Sequence, residues 1–510
     1  MAQQEFCEVE NTDPEQHKKW IDKHGFEPDE EGKFSVDNFV GREPVEFEEL
    51  YENIRKNVSD GYYEPLNDAP YDERTFVMIC GGPSLADNLN EIREKSLNPE
   101  KYLVVCSNNT GNYLLDNGIT PHAHFIIDPQ EKKKFDIART SPETEYWLNV
   151  ACNPAVFKAL KDQGVKPYVF LCEFESEGKA FAAIKESLPP GKKGMIGIQG
   201  GTMAGLRAIN LADALGFRKM EYYGFDATVK IADGRAQPYA YDKKRGEAII
   251  ELECDRCQAK FDTTLIFQSQ VNEFISWRKN MPWIDIKIIG GGLISHYYDH
   301  IKDDEKNKPH AIERFTEEYA VMQNELHDAG NYGTTGAGYV PTIFHGISQL
   351  VKRHGEVSVL DYGSSSGATM DAVRNTMWVP PMVTDRRYDP FVAEFSVEPE
   401  PADFIICTDV LEHVEPECTK AVLDHIQELT KRIAFFSISL VPAKKILSDG
   451  RNAHINLRPY EFWLREIKRR FIPSEVKLHK DGDCLLVIAQ SIDDVRETIR
   501  AQKLKLKEAA

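Results

Sequence analysis

The chain has 510 residues, of which 41% are hydrophobic and 28% charged, and its formal net charge is −20 at pH 7. This length exceeds what one hydrophobic core organises, so we expect two domains and an appendage. No apolar run approaches the roughly 18 residues of a membrane span, and the acidic balance disfavours non-specific grip on a nucleic-acid backbone. We therefore expect a globular protein with no membrane contact and no strong nucleic-acid signature.

The acidic charge is concentrated in an N-terminal arm, residues 1–73. Residues 1–72 hold 20 Asp and Glu against 7 Lys and Arg, a net of −13 that leaves −7 for the rest of the chain. Helical spacing predicts one helix around Pro14–His24 and another over Val45–Val58, whose apolar face should pack on the next domain. We interpret the arm as a solvated acidic surface, with a partner-binding tail as the alternative.

Two features favour a cytoplasmic protein. The first residues have neither the basic nor the apolar segment of a secretion signal. The ten cysteines are scattered, several of them inside predicted strands, where a thiol behaves as a small hydrophobe in a reducing compartment.

From Arg74 onward, strand and helix patterns alternate as in a doubly wound parallel sheet. The predicted strands are Thr75–Cys80, Tyr102–Cys106, His124–Asp128, Tyr146–Val150, Val165–Leu171, Gly194–Ile198 and Met220–Tyr223. Asp128 and Asp226 fall at the carboxyl ends of two of these strands, where ligands of open sheets bind. Both are candidates to hold Mg²⁺ on a polyphosphate.

Short motifs punctuate this region in a fixed order. They are Cys80-Gly-Gly-Pro-Ser-Leu85, Ser107-Asn-Asn109, Gly118-Ile-Thr-Pro121 leading to Asp128, Gly200-Gly-Thr202, Gly224-Phe-Asp226 and Gly290-Gly-Gly292. Together, over about residues 74–300, they resemble the 6-hydroxymethylpterin diphosphokinase MptE-like family, which includes the motility-associated flagellin glycosyltransferases. The first two motifs are also similar to those of bacterial sialyltransferases.

The resemblance implies one of two reactions. One is Mg²⁺-dependent pyrophosphoryl transfer from ATP, and the other is transfer of a nine-carbon sugar from a CMP-sugar donor. In both, backbone amides of two glycine turns would hold phosphate. The implied binding residues are Gly81, Gly82, Pro83, Ser84, Asn108, Gly200, Gly201 and Thr202, with Asp128 and Asp226 in catalysis and metal binding.

Cys254 and Cys257 form a Cys-x-x-Cys pair between strands predicted over Ala248–Glu253 and Phe261–Thr264. A structural zinc site needs four ligands, and no second Cys or His pair stands at a fitting spacing nearby. We expect a plain hairpin turn here, with a zinc site as the alternative.

A charged linker, Asp299–Lys308, predicts a domain boundary. We expect a transferase domain over residues 74–310 and a second domain over residues 311–510. A helix is predicted from about Glu313 to His327. The glycine-rich segment Tyr332–Tyr339 that follows is either a lid over a ligand or a linker without contact.

The clearest ligand-binding signal is Val357–Gly367. An apolar strand ends in Asp361, and glycines allow a tight turn before a helix begins at about Ala368. Two more strands follow, each ending in acids, within Val383–Pro390 and Phe404–Asp409, and the second continues into Val-Leu-Glu-His413. This order resembles class I S-adenosylmethionine-dependent methyltransferases.

By that resemblance, three groups of residues would bind S-adenosylmethionine. Asp361, Gly363, Ser365 and Gly367 would hold the methionine end, Asp385 or Asp389 the ribose hydroxyls, and Thr408 and Asp409 would flank the adenine. The turn departs from the family's usual Gly-x-Gly, since this chain has Gly363-Ser-Ser-Ser-Gly367.

Beyond a strand predicted over Arg432–Leu440, we predict a substrate loop. Its candidate contacts are Asp449, Arg451, Asn452, Arg458 and Trp463. His454 is the candidate general base, because an unperturbed histidine titrates near neutrality. For His413 we expect a packing role beside the cofactor, with catalysis as the alternative. No motif of DNA base methyltransferases is present, which favours a hydroxyl or carboxyl acceptor.

The sequence thus predicts an α/β protein with two Rossmann-like doubly wound sheets in tandem and an acidic, partly helical N-terminal arm. We expect a bifunctional transferase acting on a small molecule, nucleotide or sugar. Two alternatives stay open: one active domain beside a docking or scaffold module, and a non-enzymatic nucleotide-sensing protein. Such fusions look similar to tailed-phage proteins, in which case the compartment is the host cytoplasm. The oligomeric state is not predicted.

Overall fold

The computed structural model describes residues 45–69, 71–174, 178–191, 194–198, 201–229, 250–254, 258–281, 283–306, 314–328, 336–376, 383–479 and 481–509. The chain divides into two compact units, Met1–Asn307 and Lys308–Ala510. Within the described ranges, no helix combines the length and apolar character that a membrane crossing requires. The helix predicted around Pro14–His24 lies outside them.

The first unit is built on a parallel sheet of nine strands and a hairpin, as far as it is described. The strands are β1 Glu64–Pro65, β2 Asp72–Ile79, β3 Tyr102–Ser107, β4 Ala123–Ile126, β5 Glu145–Asn149, β6 Tyr168–Cys172, β7 Gly197–Ile198, β8 Phe217–Tyr223, β9 Ile250–Glu253, β10 Lys260–Thr263 and β11 Asp285–Ile289. The sheet order is β1-β6-β5-β4-β3-β2-β8-β11, with β7 paired to β6. The antiparallel pair β9–β10 is the hairpin expected around Cys254.

Helices cover this sheet. They are α1 Phe47–Asp60, α2 Leu89–Ser96, α3 Thr110–Asp116, α4 Pro154–Asp162, α5 Lys179–Ser187, α6 Ala204–Ala214, α7 Leu265–Asn280 and α8 Leu293–Lys306. The predicted docking of α1 is confirmed, because Leu50, Ile54 and Val58 are buried in one cluster with Leu148 of β5. Asn57 adds hydrogen bonds to the carbonyls of Val150 and Cys152. Helix α1 is therefore part of the first unit's core.

The second unit has a mixed six-stranded sheet. Its strands are β12 Val357–Tyr362, β13 Val383–Tyr388, β14 Ala402–Thr408, β15 Thr430–Ser439, β16 Phe471–Leu478 and β17 Cys484–Ser491. Its helices are α9 Glu317–Asp328, α10 Val340–His354, α11 Ala368–Thr376, α12 Thr419–Leu429, α13 Tyr460–Lys468 and α14 Ile492–Ala509. The order is β13-β12-β14-β15-β17-β16, parallel except at β17 and β16, and the sequence did not predict β16.

Both faces of this sheet are buried, as the alternation of side chains along the inner strand β12 shows. In β12, Val357 and Val359 join a cluster with Ile343 of α10. Leu360 and Tyr362, which point to the opposite face, join a cluster with α12 and α13. A sheet buried on both faces reads as a continuous apolar run, which is why the sequence predicted the strand. The predicted fold class, two Rossmann-like α/β sheets, is confirmed.

Candidate functional site

A cavity of about 580 Å³ opens at the carboxyl edge of the second sheet. The lining comes from the carboxyl ends of four strands and the segments that follow them: Tyr362–Ser365 at β12, Tyr388–Phe391 at β13, Thr408–Val410 and Glu412–Val414 at β14, and Val441–Lys445 beyond β15. The chain places β13 on one side of β12 and the next strand, β14, on the other side, so the strand order reverses at β12. Ligands of open α/β sheets bind at such a switch point. The volume is within the range of about 300–1,000 Å³ usual for small-molecule sites.

The turn after β12 forms one wall of the cavity. Gly363 has φ 74°, its N–H donates to the Tyr388 carbonyl at 2.7 Å, and a Cβ there would lie 2.4 Å from a Val410 methyl carbon. Ser365 adopts φ 45°, and its N–H donates to Asp389 Oδ2 at 2.8 Å. The three-serine turn therefore closes tightly against the end of β13, although it lacks the usual Gly-x-Gly.

Asp361 ends the apolar part of β12 and is 1% exposed. Burial raises the pKa of its carboxyl to about 7. Its Oδ2 has no hydrogen-bond partner among the described residues. Asp361 does not itself line the cavity, but the two residues that follow it do. A buried carboxylate oxygen without a donor is a group that a bound cation would satisfy.

Of the two acids expected at the ribose, the structure brings only Asp389 to the cavity. Its Oδ1 accepts from the Phe391 N–H at 2.9 Å, so it also braces the local turn. The other candidate, Asp385, does not reach the cavity. It lies inside β13 opposite Val359 and pairs with Arg374, away from the strand end.

Gly367 is also outside the lining, with φ 78° and the Arg387 guanidinium packed where a Cβ would be. Thr408 and Asp409 do line the cavity. Asp409 adopts φ 55°, its N–H donates to the Ser437 carbonyl at 3.0 Å, and its Oδ1 accepts from Ser437 Oγ at 3.0 Å. Both hydrogen bonds hold the loop after β14 in place at the cavity.

Two histidines meet at the cavity, with ring centroids 4.6 Å apart. His413 Nδ1 is 2.9 Å from the Ala453 carbonyl, and His454 Nδ1 is 2.6 Å from the Val441 carbonyl. Because a carbonyl oxygen only accepts, each Nδ1 carries the proton and each Nε2 is an acceptor. Burial and the neighbouring His454 lower the pKa of His413 to about 3, so its ring stays neutral.

Glu412 lies beside this pair and is fully buried. Its Oε1 accepts from the Ser439 N–H at 2.7 Å, and its Oε2 has no partner among the described residues. Burial, with a smaller effect of the negative charge of Asp409, raises the pKa of Glu412 to about 8. The side chain therefore carries a proton at neutral pH.

The predicted substrate loop reaches the cavity only in part. His454 lines it, together with the Val441–Lys445 segment. Asn452 is a brace rather than a contact, since its side chain bonds both the N–H and the carbonyl of Ala443. Asp449 and Arg451 pair with each other at 2.5 Å on the exposed surface.

Trp463 and Arg458 were predicted to contact the substrate, but neither residue lines the cavity. Trp463 is fully buried in α13 and packs in the core, so no substrate reaches it. It belongs to the apolar face of an amphipathic helix, which the sequence alone did not separate from the loop. Arg458 Nε donates to Asn456 Oδ1 at 3.3 Å, and Arg458 is not part of the lining.

Sequence reasoning missed a wall supplied by α9. Tyr319, Gln323 and His327 recur at four-residue intervals, which puts them on one helix face toward the cavity. The Tyr319 hydroxyl donates to the His413 carbonyl, and Gln323 Nε2 donates to Tyr319 at 2.6 Å. The polar and aromatic spacing on this helix was the signal available. Tyr339 also lines the cavity, whereas residues 332–335 of the glycine-rich segment lie outside the described residues.

At the first unit's carboxyl edge, Asp226 occupies the turn expected to hold phosphate. Ser84 donates to it twice, from N–H and from Oγ, each at 2.7 Å. Cβ atoms at Gly82 and Gly292 would lie 2.4 and 2.3 Å from Asp226 atoms, so glycines permit this approach. Ser84, a residue that the resemblance implied for phosphate binding, thus binds a protein carboxylate, and Asp226 is 2% exposed.

The second glycine turn is engaged in the same way. The Thr202 N–H lies 3.1 Å and its Oγ 2.7 Å from Glu273 Oε2, on the exposed surface. Gly200 lies outside the described residues. Asn108 adopts φ 48°, and its carbonyl accepts from His124 Nε2 at 2.6 Å.

Asp128 and Asp226 do not form a shared Mg²⁺ site. Two strands, β3 and β2, separate β4 from β8, which puts the strand ends about 14 Å apart at about 4.8 Å per strand. Oxygens on one Mg²⁺ lie within about 4.2 Å of each other. Asp128 instead accepts from the Gln130 N–H at 3.0 Å and lies 3.6 Å from Lys133 Nζ.

The two sheets, one with a cavity at its switch point, define an α/β protein of Rossmann-like fold. Residues 48–231 match the family model of 6-hydroxymethylpterin diphosphokinase MptE-like proteins, so the resemblance predicted from the motifs is confirmed. The match supports transferase chemistry.

Among solved structures, the MAf glycosyltransferase from Magnetospirillum magneticum AMB-1 is similar at 14% identity and a TM-score of 0.33, covering 68% of this chain and 52% of its own. This chain thus spans about half of that protein. A SAM-dependent methyltransferase from Aquifex aeolicus is 16% identical, covering 29% of this chain and 89% of its own, with a TM-score of 0.21. An O-methyltransferase family protein from Burkholderia thailandensis is 14% identical, covering 39% and 70%, with a TM-score of 0.25. No curated protein matches the sequence.

Proposed function

We propose that the second unit binds S-adenosylmethionine and transfers its methyl group, and that the first unit transfers a pyrophosphoryl or glycosyl group from a nucleotide donor. The observation that carries the methyl-transfer half is the cavity at the switch point. It gathers Gly363, Ser365, Asp389, Thr408 and Asp409 from three strand ends, and these are residues that the methyltransferase resemblance implies.

The residues fit the cofactor chemically. S-adenosylmethionine supplies an electrophilic methyl group on a sulfonium, next to an ammonium group. Asp361, with a buried oxygen that has no donor among the described residues, matches an ammonium group. Asp389 offers carboxylate oxygens where ribose hydroxyls would donate, and the aromatic rings of Tyr362 and Tyr388 line the same cavity.

His454 is our general base for a hydroxyl acceptor. Its Nδ1–H donates to Val441, which orients the ring and leaves the Nε2 lone pair to accept a proton. His413 carries the same tautomer, but its low pKa makes it a poorer base and suits it to positioning. A base accounts for about 10²–10⁴-fold in rate, while alignment of the reactants in the cavity accounts for the rest.

Calorimetric titration of the full chain with S-adenosylmethionine tests the cofactor. Asp389→Asn should weaken binding at least about tenfold, because a hydrogen bond to a charged group contributes about 1.5–3 kcal/mol. Asp385→Asn is the matched control, since that acid lies four residues earlier, inside β13 and outside the cavity. Absence of binding to the unaltered chain, or equal losses in both variants, would contradict the proposal.

Transfer is tested with labelled S-adenosylmethionine and extracts fractionated into small molecules, nucleotides and glycans. His454→Gln should keep cofactor affinity and lose methyl transfer by about 10²-fold or more. His345→Gln, an exposed histidine on α10, is the control. Unchanged transfer in His454→Gln would remove that residue from the mechanism.

The donor of the first unit is tested by titrating the full chain with ATP–Mg²⁺, CMP and a CMP-sugar. Phosphate on the Thr202 amide must displace Glu273, so Glu273→Ala should tighten nucleotide binding several-fold. Glu94→Ala removes the same charge from an exposed site of the same unit and should change nothing. The nucleotide that binds identifies the reaction.

A second candidate function has its own observation. Protein carboxylates engage both glycine turns, Asp226 at Ser84 and Glu273 at Thr202. This favours a first unit that serves as a docking or scaffold module beside an active methyltransferase. Nucleotide binding by neither the unaltered chain nor Glu273→Ala would support that alternative.

A further inference from the structure

A cysteine and two histidines converge in the first unit. Cys254 Sγ and one ring nitrogen each of His296 and His300 all lie within 4.8 Å of one another. Cys254 Sγ is 3.9 Å from His300 Nδ1, and the two imidazole centroids are 4.4 Å apart.

Two different elements position these groups. His296 and His300 are four residues apart in α8, so they lie on one helix face. Cys254 extends the β9–β10 hairpin by one pair, since its N–H donates to the Ala259 carbonyl at 2.9 Å. The Phe261 ring of β10 lies 5.0 Å from the His296 ring, which holds the hairpin against the helix.

The spacing and chemistry match a tetrahedral metal. Bonds of about 2.0–2.3 Å to nitrogen and sulfur at tetrahedral angles put ligand atoms about 3.4–3.6 Å apart. The observed separations need only small side-chain rotations to reach that geometry. One sulfur and two imidazole nitrogens select zinc over the oxygen-preferring Mg²⁺ and Ca²⁺. Cys254 is 4% exposed, while both histidines are partly exposed, so a metal can enter from the histidine side.

We propose that Cys254, His296 and His300 bind a zinc ion that fastens the β9–β10 hairpin to α8. The sequence pointed to Cys254 but offered no nearby partner, because the histidine pair follows only after a hairpin, a helix and a strand. Cys257 lies outside the described residues and is not counted among the ligands.

The ion would stabilise the carboxyl edge of the first sheet. Helix α8 begins directly after Gly292, whose backbone packs against Asp226. Fastening α8 to the hairpin therefore also restrains the Asp226–Ser84 cluster. Removing zinc should lower the unfolding temperature of the first unit, because binding to the folded state alone shifts the equilibrium by mass action.

The test uses the full chain, purified without a histidine tag. Elemental analysis should find about one zinc per chain, and Cys254→Ser and His300→Ala should each lose most of it. His479→Ala is the matched control, since His479, Asp481 and Asp483 form the other described group with metal-ligand spacing, an exposed one. Loss of zinc in that variant, with retention in Cys254→Ser, would overturn the proposal.

Cobalt substitution keeps the test independent of how the variants fold. Co²⁺ added to the unaltered, metal-stripped chain should give the visible bands of a tetrahedral site and the charge-transfer absorption of a cysteine thiolate. Both should disappear when zinc is returned. Absence of the thiolate absorption, together with no zinc in the purified protein, would refute the site.

Discussion

Glu412 should make the second unit progressively less stable as the pH rises from about 4.5 to about 8. In the folded state burial holds its pKa at about 8, whereas an unperturbed glutamate has a pKa of 4.5. Between these values the folded state keeps a proton that the unfolded state has released. The stabilising contribution is therefore complete below the unfolded pKa and is lost as the pH rises through the folded one.

One proton bound only by the folded state changes the free energy of unfolding by about 1.4 kcal/mol per pH unit. Between about pH 5.5 and 7.5 the loss from Glu412 alone is about 2.7 kcal/mol. Glu412→Gln mimics the protonated acid, because its carbonyl can still accept from the Ser439 N–H. The variant should gain stability over the unaltered chain by this amount across the interval.

Urea unfolding followed by pulsed hydrogen exchange on peptides from Ala402–Ser439 measures the second unit selectively. His413, whose pKa is lowered to about 3, makes stability fall as the pH drops below its unfolded value of 6.5, which is the opposite sign. Both chains keep His413, so their difference isolates Glu412. Glu417→Gln, at an exposed site, is the control and should show no such difference. Parallel pH profiles for Glu412→Gln and the unaltered chain would refute a protonated Glu412.

Four further substitutions test the packing. Asp226→Ala leaves two Ser84 donors without their acceptor. It should lower the free energy of unfolding of the first unit, measured in urea, by about 2–6 kcal/mol. A decrease below about 1 kcal/mol would contradict that role of Asp226. Trp463→Ala should cost about 3–5 kcal/mol while calorimetry finds the S-adenosylmethionine affinity unchanged, and a weaker affinity at unchanged stability would restore the predicted substrate contact. Gly363→Ala and Gly482→Ala both strain a left-handed position, at about 1–2 kcal/mol, but only Gly363 meets a side chain 2.4 Å away. Gly363→Ala should therefore be the less stable in urea and the only one to lose cofactor affinity, and equal effects would count against the close contact.

Much of the second unit was predictable because its signals are local. The strand predicted over Arg432–Leu440 corresponds to β15, Thr430–Ser439, and the strand ending near Asp361 was evident as an apolar run before glycine. A strand that is buried on both faces needs apolar residues at nearly every position, so it is visible in the sequence as such a run. Gly363 and Asp409, which the sequence named as candidates and which line the cavity, directly follow these runs.

The same local rules failed for residues that are close in sequence but lie in different tertiary environments. His454 and Trp463 come from one polar and aromatic stretch, yet the first lines the cavity and the second fills the core. Asp385 and Asp389 are four residues apart, but only Asp389 lies past the strand end. Composition does not distinguish Asp385 from Asp389, because the residue at which β13 stops pairing depends on the neighbouring strand.

The sequence by itself determined the alternation of strands and helices, the glycine turns and the MptE-like motifs, since each depends on residues a few positions apart. Only the tertiary structure decided which distant groups meet. Strand order separates Asp128 from Asp226 and places Asp226 on Ser84. It also brings a hairpin cysteine to two helical histidines. Strand order and helix packing arise from the balance of burial over the whole core, which no short segment encodes.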